Sequence, residues 1–455
     1  MRTPPLLFVL AALTAAACYD PSYQSPRCGP DGDCPPGLVC SNGENSECRA
    51  PAEQCLGRRD AAYAACLADA GVDGDDATPA ARAIQRRCDA EANLGFSACC
   101  EDAPDATCAP LPEPSCAAEV PAVDSVAPLA RLNDLFTAHG NLGTGWTGGD
   151  GVTSLRLPDG RELWTFSDTF LGEVRADGSR PASAPLVNSS FVVQDGDQLA
   201  TVDRLPLVGP PDARHFYWAG AGTVEIGDVQ VIFQRFTRTG DGMWNFRFDG
   251  NVLARWSPDA LDQAPVVTPL PSEHGVSWGA AILPAAASGD GYNYVYGVED
   301  VPGGKKYLHV ARVEGSLAGP WEYWTDRHSW SRSEAASARR LTDVSNGLGV
   351  VRVRGQFLLV TQDSSEAFSN KVVAYAACAP AGPFAGAVTL YRTPESGPFG
   401  SYRNGNVYTY NARAHGELSN DDAVVVSYSV NSLVADDVFR DVTIYRPRFL
   451  ELRLR

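Results

Sequence analysis

Short apolar stretches separated by tight turns recur five times over about the last 330 residues of the chain. In each repeat, a segment rich in Gly, Trp, Asn or Asp leads into an apolar strand, a turn and a second strand. The five second strands span Leu163–Asp168, Val229–Gln234, Tyr294–Glu299, Phe357–Gln362 and Val424–Asn431. A repeat of about 65 residues made only of strands is typical of a β-propeller. The pattern therefore predicts an all-β fold with five blades around a central pocket.

Turn residues support the strand assignment. In the first repeat, Pro158-Asp-Gly160 lies between an apolar strand and Glu162–Phe166, as expected for a β-hairpin. The fifth repeat is one strand short. Residues near Ala127 to Leu132 are predicted to supply the missing strand and close the ring, so that the propeller domain covers 125–455.

The N-terminal residues have the pattern of an export signal. Arg2 is followed by an apolar segment from Leu6 to Leu13 and by three alanines that precede Cys18. This order resembles a bacterial lipoprotein signal over 1–18, in which Cys18 is lipidated. The alternative is an ordinary signal peptide with Cys18 in a disulfide. Both place the mature protein outside the cytoplasm, and the first predicts a lipid anchor in the bacterial cell envelope.

Residues 19–124 are rich in cysteine and are predicted to form a small disulfide-bonded, partly helical module. Helical composition over Asp60–Ala70 and Ala80–Ala98 indicates a hairpin of helices cross-linked by cysteines. No Cys-x-x-Cys pair and no histidine occur there, which argues against zinc. The module has 11 cysteines, an odd number, so one must stay free, pair with Cys378 or pair between molecules.

Net charge argues against nucleic acid as a partner. The chain has a formal charge of −18 and only three lysines, so it has no basic surface for phosphates. Between residues 19 and 124, 19 acidic residues stand against 7 arginines. We expect a monomer that binds a polysaccharide or another glycan.

Acidic residues occur where the paired strands of a blade meet the mouth of the ring. Asp150 opens the first strand of the first repeat and Asp168 closes its second strand, and antiparallel pairing brings these two ends together. Glu299 has the corresponding position in the third repeat. Cleavage of a glycosidic bond needs one carboxylic acid and one carboxylate, so Asp150, Asp168 and Glu299 are the predicted catalytic residues.

Aromatic and polar residues near the same mouth are candidates for stacking on sugar rings and for hydrogen bonds to hydroxyl groups, although packing in the core is the alternative for each aromatic ring. These candidates are Trp146, Asn188, Trp218, Gln234, Trp278, Gln362, Tyr410, Asn411, Arg413 and Asn431. The chemistry requires no cofactor. His415 is a candidate ligand for a central metal ion, or else a packed and hydrogen-bonded histidine.

Several motifs of the first and fifth repeats resemble a family of secreted bacterial five-bladed propellers, most of which are uncharacterised. The motifs are Gly148-Gly-Asp150-Gly, Leu163-Trp-Thr-Phe-Ser-Asp168-Thr-Phe, Asn188-Ser-Ser, Tyr410-Asn-Ala-Arg-Ala-His-Gly-Glu-Leu-Ser, Val426-Ser-Tyr-Ser-Val-Asn431-Ser and Tyr445-Arg-Pro-Arg-Phe449. Some relatives of that family are endo-acting D-arabinofuranases, and the wider fold includes arabinanase-like glycosidases with three acids around the cavity. The resemblance covers about residues 130–455. It departs from the arabinanase pattern in the second repeat, where Gln234 and Arg235 stand in place of a carboxylate.

These observations predict an extracellular glycoside hydrolase that acts on a polysaccharide, with an arabinofuranosyl polymer as the substrate that the resemblance implies. Asp150 is predicted to be the base or nucleophile, and Asp168 or Glu299 the acid. A non-catalytic carbohydrate-binding or adhesion lipoprotein is the main alternative. A third interpretation is an assembly-linked lipoprotein whose cysteine-rich module binds a partner.

Overall fold

The computed structural model describes residues 39–40, 48–49, 51–74, 78–101, 117–241, 245–302 and 304–455. The predicted signal segment, its Cys18 and the cysteines at 28, 34, 108 and 116 lie outside these ranges. From residue 117 onward, the described chain consists mostly of antiparallel strands, which confirms the all-β prediction.

Five sheets follow one another along this part of the chain, and we number them in that order. From the inner strand outward, the first sheet contains Thr153–Arg156, Glu162–Phe166, Ser190–Asp195 and Gln198–Thr201, and the second contains His215–Glu225, Asp228–Arg238, Phe246–Trp256 and Val266–Leu270. The third contains Val276–Leu283, Tyr292–Asp300, Lys306–Glu314, Glu322–Trp324 and Trp330–Ser331, and Leu341–Thr342 also pairs with Lys306–Glu314. The fourth contains Leu348–Val353, Gln356–Gln362, Lys371–Ala377 and Ala385–Arg392, and the fifth contains Val407–His415, Ala423–Ser432, Arg448–Leu454 and Val123–Pro128. A small sixth sheet contains Trp146–Gly149, Thr169–Leu171 and Leu186–Val187.

The inner strands of neighbouring sheets contact one another from the first sheet to the fifth. The fifth sheet reaches back to the first, where Ser154 Oγ lies 2.5 Å from His415 Nδ1. Apolar side chains fill the space between each pair of neighbours. One buried cluster joins the first and second sheets around Phe191 and Phe233, for example, and another joins the third and fourth around Tyr296 and Leu359.

The strand that completes the fifth sheet is Val123–Pro128, which pairs with Arg448–Leu454. The prediction of a strand over Ala127–Leu132 was therefore wrong beyond Pro128, because a helix spans Ala130–Gly140. Leu132, Phe136 and His139 are buried on one side of this helix, at spacings of four and three residues. That spacing suits a helix and cannot place all three side chains on one face of a strand.

Two longer helices, Pro51–Asp69 and Pro79–Glu101, lie in the cysteine-rich segment. The disulfides Cys55–Cys99 and Cys66–Cys88 join them. The second helix contacts the third sheet, where the hydroxyl groups of Ser97 and Ser329 form a hydrogen bond. Cys378 is also disulfide-bonded.

The remaining elements are short. Val39–Cys40 pairs with Cys48–Arg49. The helices Ala285–Ser288 and Ala435–Arg440 and the 3-10 turns Glu334–Ala336 and Gly416–Leu418 lie in connections of the sheets. Among the residues that the structure describes, no helix has the length and apolar character needed to cross a bilayer.

Candidate functional site

Asp150 and Asp168 lie at a common break in the hairpin of the first sheet. Both strands of this hairpin are interrupted here: Trp146–Gly149 is separated from Thr153–Arg156, and Glu162–Phe166 from Thr169–Leu171. The Asp150 amide donates to the Asp168 carbonyl at 3.1 Å, and the Ser167 amide donates to the Asp150 carbonyl at 2.9 Å. The structure thus brings these two predicted catalytic residues together.

Glycines make this break sterically feasible. Gly151 has φ of +59°, and a Cβ there would lie 2.5 Å from Ser167 Oγ. A Cβ on Gly148 would lie 2.5 Å from the carbonyl oxygen of Tyr445. The Gly-Gly-Asp-Gly motif therefore lets Tyr445, in the connection before the strand Arg448–Leu454, approach the backbone next to Asp150 closely.

The two oxygens of Asp150 have different surroundings. Oδ2 accepts hydrogen bonds from the hydroxyl groups of Tyr410, at 2.6 Å, and Tyr445, at 3.1 Å. Oδ1 is buried, and no donor within the described chain reaches it. Burial, followed by the negative charge of Asp168, raises the pKa of Asp150 to about 7 against the two tyrosine hydrogen bonds. Asp150 can therefore carry a proton near neutral pH.

Asp168 has stronger support for its charged form. Its Oδ1 accepts from Asn188 Nδ2 at 2.9 Å and from Trp218 Nε1 at 2.7 Å. Burial raises the pKa of Asp168, and these two hydrogen bonds and the positive charge of Arg238 oppose the increase. Two close carboxylates with different partners can hold one proton between them.

The first two strands of the fifth sheet contribute other polar groups near Asp150. A register shift between Tyr410 and Arg413 places Asn411 at φ of +54°, a conformation that asparagine tolerates better than most residues. Asn431 donates to the Tyr410 hydroxyl at 3.3 Å. Arg413 is buried, and burial lowers its pKa to about 10 although the charge of Asp150 opposes the change.

Glu299 has no contact with this pair among the described hydrogen bonds and ion pairs. Arg339 donates to both of its oxygens, at 2.6 and 2.8 Å, and His309 Nε2 lies 3.2 Å away. The Arg339 hydrogen bonds lower the pKa of Glu299, with a further contribution from His309. A carboxylate held in its charged form is a poor proton donor, so the predicted role of Glu299 as the acid is not supported.

Glu299 instead lines a cavity of about 350 Å³ at the third sheet, together with His274, His309, Glu334 and Arg339. Neither Asp150 nor Asp168 belongs to the lining of this cavity.

Two of the predicted sugar-stacking tryptophans are core residues. Trp146 is fully buried against Phe136 and Phe166. Trp278 is also fully buried, and its Nε1 donates to Glu334. Their rings have no face open to a ligand, so these two predictions are replaced by packing. Trp218 differs because it is only half-buried and contacts Asp168 directly.

Of the asparagine and glutamine side chains predicted to bind sugar hydroxyls, some lie at the carboxylate pair and others do not. Asn188 and Asn431 lie at the carboxylate pair, through Asp168 and Tyr410 respectively. Gln234 donates to the carbonyl of Trp278, and Gln362 is buried and donates to the carbonyl of Ser369. These glutamines connect strands and do not face the pair.

His415 is buried between the first and fifth sheets. Its Nδ1 is hydrogen-bonded to Ser154 and its Nε2 to Ser427 at 2.7 Å. Burial, followed by the charge of Arg413, lowers the pKa of His415 to about 3, so the imidazole is neutral. Since both ring nitrogens have protein partners, His415 is a packed histidine, and the described residues contain no cluster of metal ligands.

Sequence reasoning missed Tyr445 and Arg238 as site residues. Tyr445 is part of the Tyr-Arg-Pro-Arg motif, but its contact with Asp150 depends on a φ of +91°, which is unusual for tyrosine and not evident from the pattern. Arg238 is the last residue of the second strand of the second sheet, four residues beyond Gln234. The charge of Arg238 lowers the pKa of Asp168 only because the second sheet packs beside the first.

Comparisons with known proteins support these observations at the level of family and fold. Residues 131–453 match the model of a family described as a domain of unknown function, DUF5005. None of the curated proteins matches the sequence. A crystal structure of a candidate hydrolase from Bacteroides ovatus is similar with a TM-score of 0.58 and 22% identity, over 72% of this chain and 90% of that one. This similarity shows a shared fold.

Two glycoside hydrolases are more distant neighbours. An α-L-arabinofuranosidase from Podospora anserina, solved with cellotriose, has a TM-score of 0.40 and 10% identity over 69% of this chain and 93% of that one. A GH43_1 enzyme from Xanthomonas citri, solved with xylotriose, has a TM-score of 0.39 and 15% identity over 71% of this chain and 93% of that one.

Proposed function

The chain belongs to the DUF5005 family, and we propose that this member is a glycoside hydrolase whose acidic groups are Asp150 and Asp168. The observation that carries the proposal is the pair of carboxylates joined through backbone hydrogen bonds, each with its own set of side-chain partners. Hydrolysis of a glycoside needs one protonated and one charged carboxyl group at neutral pH. Unequal partners for two neighbouring aspartates meet that requirement.

The proposed roles reverse those predicted from the sequence. Asp150 is the acid, because its pKa is about 7 and its Oδ1 has no donor in the described chain to compete with a leaving oxygen. Asp168 is the base or nucleophile, because Asn188, Trp218 and Arg238 favour its charged form. In this arrangement Asp150 gives its proton to the glycosidic oxygen as the bond to the anomeric carbon breaks. At the same time Asp168 either removes a proton from a water molecule that attacks this carbon, or attacks the carbon itself. In the second case water then hydrolyses the glycosyl ester on Asp168, and Asp150 takes up the proton of that water.

The substrate in this proposal is a polysaccharide of arabinofuranosyl type. Its support is the resemblance of the motifs around Asp150, Asp168 and Tyr410 to a family with arabinofuranase relatives. The polar groups of Arg413 and Asn431 near the pair suit the hydroxyl groups of a sugar. The Asn411 side chain is instead hydrogen-bonded to Ser345, whose Oγ donates to Asn411 Oδ1 at 3.3 Å.

A closed five-bladed ring is part of the proposal. It is supported by the contacts between successive inner strands, by the hydrogen bond between Ser154 and His415, and by the pairing of Val123–Pro128 with the last strand. In such a ring the carboxylate pair lies at the end where the inner strands begin, which is the end that a polymer would approach.

Release of new reducing ends from a panel of furanosyl and pyranosyl polysaccharides tests the enzymatic function. We expect turnover by the wild type and a loss of at least about 10³-fold in kcat for Asp150→Asn and for Asp168→Asn, with melting temperatures close to that of the wild type. Glu299→Gln should keep most of the activity. Asp228→Asn is a matched control, since Asp228 begins a strand next to the turn at the far end of the second sheet and pairs with Arg255.

The non-catalytic alternative predicts a different result in the same experiment. If the wild type binds glycans but releases no reducing ends from any polymer, the protein is a carbohydrate-binding module. If Asp150→Asn is fully active, the assignment of roles is wrong while hydrolysis itself stands.

We also propose export and attachment to the cell envelope through lipidated Cys18, which lies outside the described residues. The support is the order of Arg2, the apolar segment and the three alanines in the sequence. Cys18→Ser should move the protein from the membrane fraction to the soluble one. Unchanged membrane association, or a mature N-terminus at another residue by mass spectrometry, would contradict the anchor.

A further inference from the structure

A row of aromatic rings begins at Asp168 and extends over the second sheet. Trp218, whose Nε1 donates to Asp168, lies with its ring centroid 4.5 Å from Phe236 and 5.0 Å from Phe246. All three side chains are half-buried, so part of each ring is open to solvent. We call these three residues the Trp218 row.

A second row begins at Asp150 and extends over the fifth and fourth sheets. The ring of Tyr410, whose hydroxyl donates to Asp150, lies 5.4 Å from that of Tyr408. Tyr408 is buried and lies 4.7 Å from Phe368, which is 52% exposed, so Phe368 is the exposed end of this row. We call Tyr410, Tyr408 and Phe368 the Phe368 row.

Phe368 does not have the features of an ordinary surface residue. Its φ is +54°, a conformation that is unfavourable for phenylalanine and that often occurs at functional sites. The nearby charges are already paired, since Lys371 binds both Glu366 and Asp363. An exposed ring without a free charge beside it suits the apolar face of a neutral sugar.

We propose that the Trp218 row and the exposed ring of Phe368 form sugar-binding subsites on either side of the carboxylate pair, occupied together by several consecutive units of a neutral polysaccharide. The argument is that each row starts from a different aspartate and the rows run onto sheets that flank the first sheet on opposite sides. This inference rests on the proposed function for the position of the cleaved bond. It adds that the enzyme holds its substrate across that bond and cuts within the polymer, not only at its ends.

Binding can be tested without turnover by affinity electrophoresis of Asp168→Asn in gels that contain linear arabinan, an arabinogalactan, a xylan or a polyuronate. We expect retardation by at least one neutral polymer and none by the polyuronate. When Phe368→Ala or Phe246→Ala is combined with Asp168→Asn, the apparent affinity for that neutral polymer should weaken at least about fivefold. This is the size expected for the loss of one stacked ring. Ile226→Ala is the control, because Ile226 is exposed in the turn at the opposite end of the second sheet and should change nothing.

The products released from the polymer that retards the protein distinguish the two-sided site from hydrolysis as such. When the wild-type enzyme digests this polymer, we expect oligosaccharides of several lengths early in the reaction. Phe368→Ala should lose activity at least about fivefold on long oligosaccharides and less than about twofold on the shortest one that is cleaved. Hydrolysis that yields only monosaccharide from the first time point would overturn the two-sided site and leave the hydrolase standing. Unchanged binding in both aromatic variants, or no retardation by any neutral polymer, would also overturn it.

Discussion

Asp150 has two tyrosine hydroxyls on one oxygen and no described donor on the other, and this asymmetry determines how it can act. The tyrosine hydrogen bonds favour the charged form, while burial and Asp168 favour the protonated form more strongly. An acid with a pKa of about 7 loses its proton as the pH rises through that value. We therefore expect kcat/KM to fall on the alkaline side near pH 7, and to fall on the acid side when Asp168 becomes protonated.

Removing one of these hydroxyls should move the alkaline limb in a known direction. Tyr445→Phe deletes a bond that lowers the pKa of Asp150, so the pKa should rise and the limb should move to higher pH by about one unit. The pH profile of kcat/KM measures this shift. Tyr402→Phe is the matched control, because Tyr402 is hydrogen-bonded to Thr443 in the described structure and has no contact with either aspartate. A shift to lower pH in Tyr445→Phe would contradict the role of Asp150 as the acid.

The residues at this site differ in how far the sequence could predict them. Asp150 and Asp168 follow from the alternation of strand and turn alone, because antiparallel pairing fixes which strand ends meet. Glu299 occupies the equivalent position in the third repeat, yet Arg339 from a later loop pairs with it and holds it charged. The pairing of two residues 40 positions apart depends on the tertiary fold, so a repeat pattern could not reveal it.

At the scale of elements, the interrupted hairpin of the first sheet couples the carboxylates to the fifth sheet. Gly148 is a point of close approach, since a Cβ there would meet both the carbonyl of Tyr445 and the guanidinium of Arg180. Gly148→Ala should lower the free energy of unfolding by about 1–3 kcal/mol and should reduce kcat by displacing Tyr445 from Asp150. Denaturant titration and steady-state kinetics measure the two effects. Gly209→Ala, where a Cβ has open space, should leave both unchanged.

The opposite end of the same two sheets contains a second acidic group. Glu162 binds Arg156, and burial followed by the charge of Glu417 raises the pKa of Glu162 to about 7. The folded chain thus holds this proton more tightly than the unfolded chain. The contribution to stability is full below the ordinary glutamate pKa of about 4.5 and is lost as the pH rises through about 7.

Glu162→Gln should remove this pH dependence, because glutamine stays neutral. Between about pH 5 and pH 8, we expect the melting temperature of the wild type to fall relative to that of the variant. Glu314→Gln, at an exposed position of the third sheet, should follow the wild type. A melting-temperature difference between wild type and Glu162→Gln that does not change with pH would show that Glu162 does not titrate in this range.

Elements with their own turn signals were predictable, and elements defined by distant partners were less so. The second strands of all five repeats lie where the apolar pattern predicted them. The closing strand was displaced towards the N-terminus, since nothing local distinguishes Val123–Pro128 from its neighbours. It is a strand because Arg448–Leu454, more than 300 residues later, offers it an edge.

At the scale of the whole molecule, the fifth sheet is built from both ends of the strand-rich region. Val123–Pro128 covers the outer edge of Arg448–Leu454, and Val123 and Val126 pack against the cluster between the fourth and fifth sheets. Without this segment, a row of backbone donors and acceptors would be exposed together with apolar surface. The helical pair, in contrast, contacts the outer part of the third sheet, at Trp330–Ser331, and takes no part in the fifth.

Two shortened chains separate these contributions. A chain that begins at residue 117 keeps the closing strand, whereas one that begins at residue 130 lacks it; both should carry Cys378→Ser, because Cys378 is disulfide-bonded in the full chain. We expect the longer of the two to melt near the full-length protein and the shorter to melt at least about 10 °C lower and to aggregate through its open edge. Differential scanning calorimetry with light scattering measures both properties. Equal melting temperatures would mean that the fifth sheet is stable with three strands. In that case the approach of Tyr410 and Tyr445 to Asp150 would depend on the inner strands alone, and the shorter chain should also keep the activity of the longer one.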